Sequence, residues 1–199
     1  MQKKFKKVYQ FKITLKDIKP PVWRRIQVPE SYTFWDLHVA IQDAMGWLDY
    51  HLHIFEIINP STGMKEEIGV PDEEFKSDTR TRQGRRRKIA DYFLMDNPKA
   101  DYQYDFGDNW EHTIELEEIV ARSEDAQYPV CIAGKRSCPP EDCGGPWGYQ
   151  NFLKIIKTPD DEEYEEMLEW AGGNFDPEVF DIKNVHFADP DKRWEAEFG

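Results

Sequence analysis

The stretch VYQFKITLKDIKPPVWRRIQVPESYTFWDLHVAIQDAMGW, residues 8–47, decides the fold. Its first ten residues alternate. Tyr9, Phe11, Ile13 and Leu15 fall on one face, and Gln10, Lys12, Thr14 and Lys16 on the other, which predicts a half-buried strand. Pro20-Pro21 interrupts that run, and VWRRIQV, 22–28, resumes it with β-branched residues, so a hairpin is expected. The period then changes. Thr33 stands where an N-cap belongs, Phe34, Leu37, His38, Ile41 and Met45 follow at helical spacing, and Gly46 takes the C-cap position. His38 lies on that apolar stripe and reads as a core residue. HLHIFEII, 51–58, is a third strand. The resulting β-β-α-β order is a β-grasp-like opening.

Further along the chain, residues 59–88 read mostly as a long loop or insertion, and KIADYFLM, 88–95, as a short helix. ADYQYDF, 100–106, and WEHTIELEEIV, 110–120, both alternate, and Gly107-Asp108-Asn109 between them is turn chemistry, so a second hairpin is expected. YPVCIAG, 128–134, adds a strand, and KRSCPPEDCGGPWGY, 135–149, is a Pro/Gly-rich loop. From 148 the pattern is helical through Tyr149, Phe152, Leu153 and Ile156. Asp160 or Asp161 would cap a second helix carrying Tyr164, Met167 and Leu168, FDPEVFDI, 175–182, would form a short helical turn, and the tail would pack through Val185, Phe187 and Trp194. Strands come first and helices last. The expected class is therefore α+β: a mostly antiparallel sheet with C-terminal helices packed on it, in one domain over 1–199 whose part 146–199 is mostly helical.

The 199 residues suffice to bury a core without disulfides. Aromatics at 14% argue against disorder, no apolar run is long enough to span a membrane, and the N-terminus has no apolar signal region. Three Cys form no framework, so a reducing cytoplasm is the expected location. The net charge of −13 is uneven: residues 1–100 hold 18 Lys and Arg against 14 Asp and Glu, and residues 101–199 hold 8 against 25. An acidic chain is a poor non-specific nucleic-acid binder. The local exception is RTRQGRRRK, with Arg80, Arg82, Arg85, Arg86, Arg87 and Lys88. It reads either as a contact for phosphate or an acidic partner, or as a solvated loop that offsets the acidic half.

YDFGDNWEH, 104–112, is the densest cluster of chemically capable residues. Asp105, Asp108 and His112 could hold a divalent ion or act as acid and base. Alternatively, Asp and Asn simply cap their own turn and His112, on a face with Trp110 and Ile114, is a hydrogen-bonded core residue. CPPEDCGG, 138–145, places Cys138 and Cys143 at a spacing that suits a zinc ligand pair, with Glu141 and Asp142 between them. A transient disulfide or a rigid loop shaped by Pro139, Pro140, Gly144 and Gly145 accounts for the same residues. His51 and His53 share a strand face about 6.8 Å apart, which suits either a metal or a core. The helix DDEEYEEMLEW, 160–170, carries seven carboxylates and reads as a solvated face. G-x-S-x-G, Walker A, dinucleotide-binding and H-E-x-x-H motifs are missing, which removes the usual support for the commonest hydrolase, nucleotide-binding and zinc-protease readings.

The runs YQFKITLKDIKPPVWRRIQVPESYTFWDLHVAIQDAMGW, HLHIFEI, YDFGDNWEHTIELE, CPPEDCGGPWGY and WAGGNFDPEVFD together resemble the plasmid pRiA4b ORF-3-like family over roughly residues 6–185. The resemblance implies an α+β protein with a β-grasp-like portion. For some members it implies travel with plasmids and insertion sequences as resolvase-like passengers. It carries over Glu141, Asp142 and the Gly144-Gly145 pair.

The leading reading is a non-enzymatic binding or interaction module. Its cleft would be acidic and aromatic-lined, built from Tyr104, Asp105, Asp108, Trp110, His112, Glu141, Asp142, Gly144, Gly145, Trp147 and Tyr149. Its ligand would be a protein or a small cation, or a metal. The alternative is a metal-dependent hydrolase acting on nucleic acid, with zinc, or loosely held magnesium or manganese, on Cys138, Cys143 and His112 or on His112 with Asp105 and Asp108, and with phosphate on the basic run.

Overall fold

A computed structural model describes residues 5–71 and 81–199. The first alternating run forms strand β1, Lys7–Leu15, and the resumed run forms β2, Trp23–Pro29, paired antiparallel with Phe11 opposite Ile26. Helix α1, Phe34–Met45, follows. Its ends are those the sequence indicates. The Thr33 side chain accepts from the Asp36 N–H while Asp36 accepts from the Thr33 N–H, and Gly46 closes the helix in the left-handed region with φ 89°.

The remaining strands are β3, His53–Ile58; β4, Lys65–Gly69; β5, Thr81–Gln83; β6, Lys99–Tyr104; β7, Trp110–Ala121; and β8, Val130–Lys135. They form one eight-stranded sheet in the order β5-β4-β3-β6-β7-β1-β2-β8, antiparallel except for the β4–β5 pair. The class is α+β, as the strand-then-helix order indicates. The β6–β7 hairpin lies between β1 and β3. Two expectations are corrected. The stretch 59–88 supplies two strands at one edge of the sheet, because β4 pairs along β3 and buries Ile68 in the core, and β5 adds to β4. The 88–95 segment holds only a 3₁₀ turn, Ile89–Asp91, with Ile89 and Phe93 buried.

Helices α2, Gly145–Ile155; α3, Tyr164–Trp170; and α4, Pro190–Phe198, complete the chain. The N-cap of α3 is Glu163, and no side chain caps it, so neither Asp160 nor Asp161 is its cap. Residues 175–181 form no helix; a 3₁₀ turn begins only at Ile182 and runs to Asn184. Among the described residues no helix is long and apolar enough to cross a membrane.

One face of the sheet is the core. Phe11, Ile13 and Leu15 of β1 meet Phe34, Leu37 and Ile41 of α1, and Tyr149 and Phe152 of α2 join them. The other face is polar: Glu117 takes both Nε and Nη2 of Arg25, at 2.6 and 2.7 Å, and the Gln10 amide beside them. A buried polar relay runs under α1. The Gln42 amide donates to Tyr102 Oη at 2.8 Å, Tyr102 Oη lies 2.9 Å from His38 Nδ1, and His38 Nε2 lies 2.7 Å from Asp49 Oδ1. With Tyr102 donating to Nδ1, the Nε2 proton faces Asp49. Burial holds His38 well below its ordinary pKa, so the ring is neutral at pH 7.

The tail packs through more than its apolar residues. Arg193 of α4 reaches Asp43 at 2.6 Å and Asp49 at 3.4 Å, Trp194 meets Trp35 edge-on at 5.0 Å, and Trp35 Nε1 donates to Pro190 O at 2.9 Å. Asp189 caps α4 by accepting from the Asp191 N–H. Trp194→Ala is expected to loosen α4 without unfolding the sheet. Limited trypsin digestion should then cut at Lys192 and Arg193 several-fold faster than in the native chain, with unchanged circular dichroism.

Candidate functional site

Strand register gathers three loops at one end of the sheet. His53 pairs with Tyr104, Tyr104 with Trp110, Leu15 with His112, and Trp23 with Lys135. The start of β3, the β6–β7 turn and the end of β8 therefore lie together, and α1 ends there at Gly46. The loop 46–52, the turn 105–109 and the loop 136–144 emerge side by side.

Each loop is shaped locally before it is joined to the others. Asp105 and Asn109 occupy the left-handed region, φ 56° and 57°, which short polar side chains tolerate. Asp105 Oδ1 accepts from the Gly107 N–H at 2.9 Å, and the Asn109 N–H donates to Asp105 O at 2.7 Å. At the third loop Gly145 has φ 67°, and a Cβ there would stand 2.3 Å from Asp108 O. Only glycine meets both demands.

Two carboxylates then join the loops. Glu141 accepts from Tyr104 Oη at 2.6 Å and from the Leu48 N–H at 2.7 Å, while Tyr104 Oη accepts from the Tyr50 N–H at 3.0 Å. Burial and this acidic partner push the Tyr104 hydroxyl far above its ordinary pKa, so it remains a donor. Asp108 Oδ2 accepts from the Gly144 N–H at 3.0 Å. Trp47 adds an indole N–H donated to Pro139 O at 2.9 Å and stacks on Tyr104 at 5.1 Å.

The residues singled out from the sequence thus separate into groups. Tyr104, Trp110 and Tyr149 are fully buried core rings and offer no contact area to a ligand, which corrects their assignment as anchors. Glu141 and Asp108 hold the loops together, and Gly144 and Gly145 give the chain its turn. Trp147 is 83% exposed. His112 is fully buried with Nδ1 3.1 Å from Trp110 O, and burial lowers its pKa to about 3. It is a core residue, as its place on a face with Trp110 and Ile114 allows. Burial pushes the Cys138 and Cys143 thiols up to about 12, so both keep their protons at neutral pH.

Among the described residues, one group of three potential ligands brings its donor atoms within 4.8 Å of one another: His51, Asp105 and Asp142. Cys138, Cys143 and His112 are not such a group, nor are His112, Asp105 and Asp108. His51 Nε2 lies 3.0 Å from Asp142 Oδ1 and 3.6 Å from Asp105 Oδ2. His51 and His53 do not act as a pair: His53 is buried and its ring stacks on His38 at 3.4 Å. Asp142 also borders a cavity of about 320 Å³, whose walls include Asn151, Phe152, Glu166, Met167 and Trp170. Glu166 and Trp170 belong to the acidic helix. Their separation by one helical turn is the sequence feature that places them on one side.

Of the basic run, Arg80 lies outside the described residues. Arg82, Arg86, Arg87 and Lys88 are exposed, and Arg85 bonds Asp191 at 3.0 Å and lies 4.9 Å over the Trp194 ring.

Two outcomes follow. Gly145→Ala is expected to cost about 1–3 kcal/mol of unfolding free energy, read by urea titration, since strain and a backbone clash combine. His112 has a folded pKa below its unfolded value of 6.5, so the unfolded state binds more protons and stability falls as pH drops from 6.5 towards 3. His112→Leu should remove up to about 1.4 kcal/mol per pH unit from that slope, measured by urea titrations between pH 6.5 and 4.

Known proteins place this geometry in a lineage. The chain is 50% identical to the protein of unknown function MM3350 from Methanosarcina mazei Go1, whose crystal structure superposes with a TM-score of 0.86 over 92% of this chain and 100% of that one. It is 36% identical over 168 residues to the uncharacterized protein y4hQ of Sinorhizobium fredii (strain NBRC 101917 / NGR234), across 84% of this chain and 82% of that protein. Residues 7–184 match the family described as plasmid pRiA4b ORF-3-like protein, and the chain belongs to that family.

Proposed function

We propose that the protein is a binding module that takes an organic cation, an alkylammonium or guanidinium group, in the cavity between the 138–144 loop, α2 and α3. The observation that supports this reading is the composition of its wall. Asp142 and Glu166 supply two carboxylates, Trp170 an exposed indole, and Met167 a polarizable thioether, and among the described residues no Lys or Arg lines it. Carboxylates attract the charge and the indole face adds a cation–π contribution. A volume of about 320 Å³ accommodates a side-chain head group rather than a large cofactor. The surplus of carboxylates in residues 101–199 favours approach of positive partners.

Calorimetry with guanidinium, tetramethylammonium and an arginine- and lysine-rich peptide tests the reading. Binding of at least one probe is expected, weakened about fivefold to tenfold by Glu166→Gln and by Trp170→Ala, or about 1–1.4 kcal/mol each. A peptide that binds more tightly than the free cations identifies a protein partner, and equal affinities identify a small ligand. Binding of none of the probes, or affinities untouched by both substitutions, would overturn the reading.

A further inference from the structure

We infer that His51, Asp105 and Asp142 form a binding site for a divalent transition-metal ion. The site shares Asp142 with the cavity described above, but its assignment does not rest on the reading of that cavity.

Geometry carries the assignment. Metal–ligand bonds of about 2.1 Å separate adjacent donor atoms by roughly 3.0 Å at right angles and roughly 3.4 Å in a tetrahedron. His51 Nε2 to Asp142 Oδ1 is 3.0 Å, His51 Nε2 to Asp105 Oδ2 is 3.6 Å, and all three atoms lie within 4.8 Å. Small side-chain adjustments bring them onto one ion.

Charge gives a second, independent reason. Asp105 is 7% exposed, and its Oδ1 is used by the Gly107 N–H. Its Oδ2 points at His51 at a distance too long for a hydrogen bond. Among the described residues neither Asp105 nor Asp142 has a Lys or Arg within ion-pair distance. A carboxylate so nearly buried is ordinarily paired with a cation or bound to a metal.

Ligand chemistry sets the class of ion. One imidazole and two carboxylates without a thiolate suit Mn²⁺ or Zn²⁺ better than a soft ion, and three protein ligands leave coordination positions for water or a partner's oxygen. The supports around the ligands are those that hold the loops: the Gly107 N–H fixes Asp105, and Glu141 fixes the strand end behind it. The ligands come from three separate loops, so a bound ion also ties those loops together.

The test uses the full chain after chelator treatment and dialysis. Mn²⁺ is titrated and free ion is followed by electron paramagnetic resonance, then Zn²⁺ is added as competitor. The expected result is one equivalent of Mn²⁺ displaced by Zn²⁺, with a raised melting temperature. His51→Ala and Asp142→Asn should each weaken binding at least tenfold. Asp142 is exposed, so its variant keeps the fold, which circular dichroism verifies. Cys138→Ser with Cys143→Ser should leave binding unchanged, and so should Glu166→Gln, which separates this site from the cavity. The inference is overturned if neither ion binds saturably, if both ligand variants bind as the native chain does, or if the thiol substitutions abolish binding.

Discussion

Strand β1 is paired along its length on both sides, with β2 and with β7, and the rest of the molecule depends on that double register. A slip of one residue would turn Phe11, Ile13 and Leu15 outward and bring Lys12, Thr14 and Lys16 into the core. The buried face leaves no such freedom. With β1 fixed, Leu15 stands opposite His112 and Trp23 opposite Lys135, so the turn that enters β7 and the loop that leaves β8 are brought to the same end as the start of β3. The site is a consequence of pairing settled in the core.

What was legible in the sequence is what depends on near neighbours. Alternation in β1, β6 and β7, the Thr33 N-cap and the Gly46 C-cap are local devices, and each stands where its pattern indicates. The charged strand β4, next to the edge, was not legible, because Lys65, Glu66 and Glu67 dilute its one buried apolar side chain, Ile68. Helix α4 is held by contacts from Arg193 to Asp43 and Asp49, about 150 residues earlier in the chain, which no local pattern encodes.

The candidate site divides in the same way. Asp105 and Asp142 stood out as carboxylates in turns, but their convergence with His51 depends on three loops meeting. Tyr104 and Trp110 suit a ligand's contact surface by residue type, but their alternation places them on the buried face, as the structure has them. Glu141 looked like a ligand and is a bracket, satisfied by one hydroxyl and one backbone amide. Trp170 carries no local signal of a site, because the seven carboxylates around it give its helix the pattern of a solvated face.

Asp142 belongs to two environments, within reach of His51 and lining the cavity of Glu166 and Trp170. A single carboxylate cannot give its full charge to both. An ion held by the three loops and an organic cation in the cavity would therefore be thermodynamically linked, each lowering the affinity of the other by the same factor. The position of one side chain would make the module a comparator of two cations rather than a receptor for either alone.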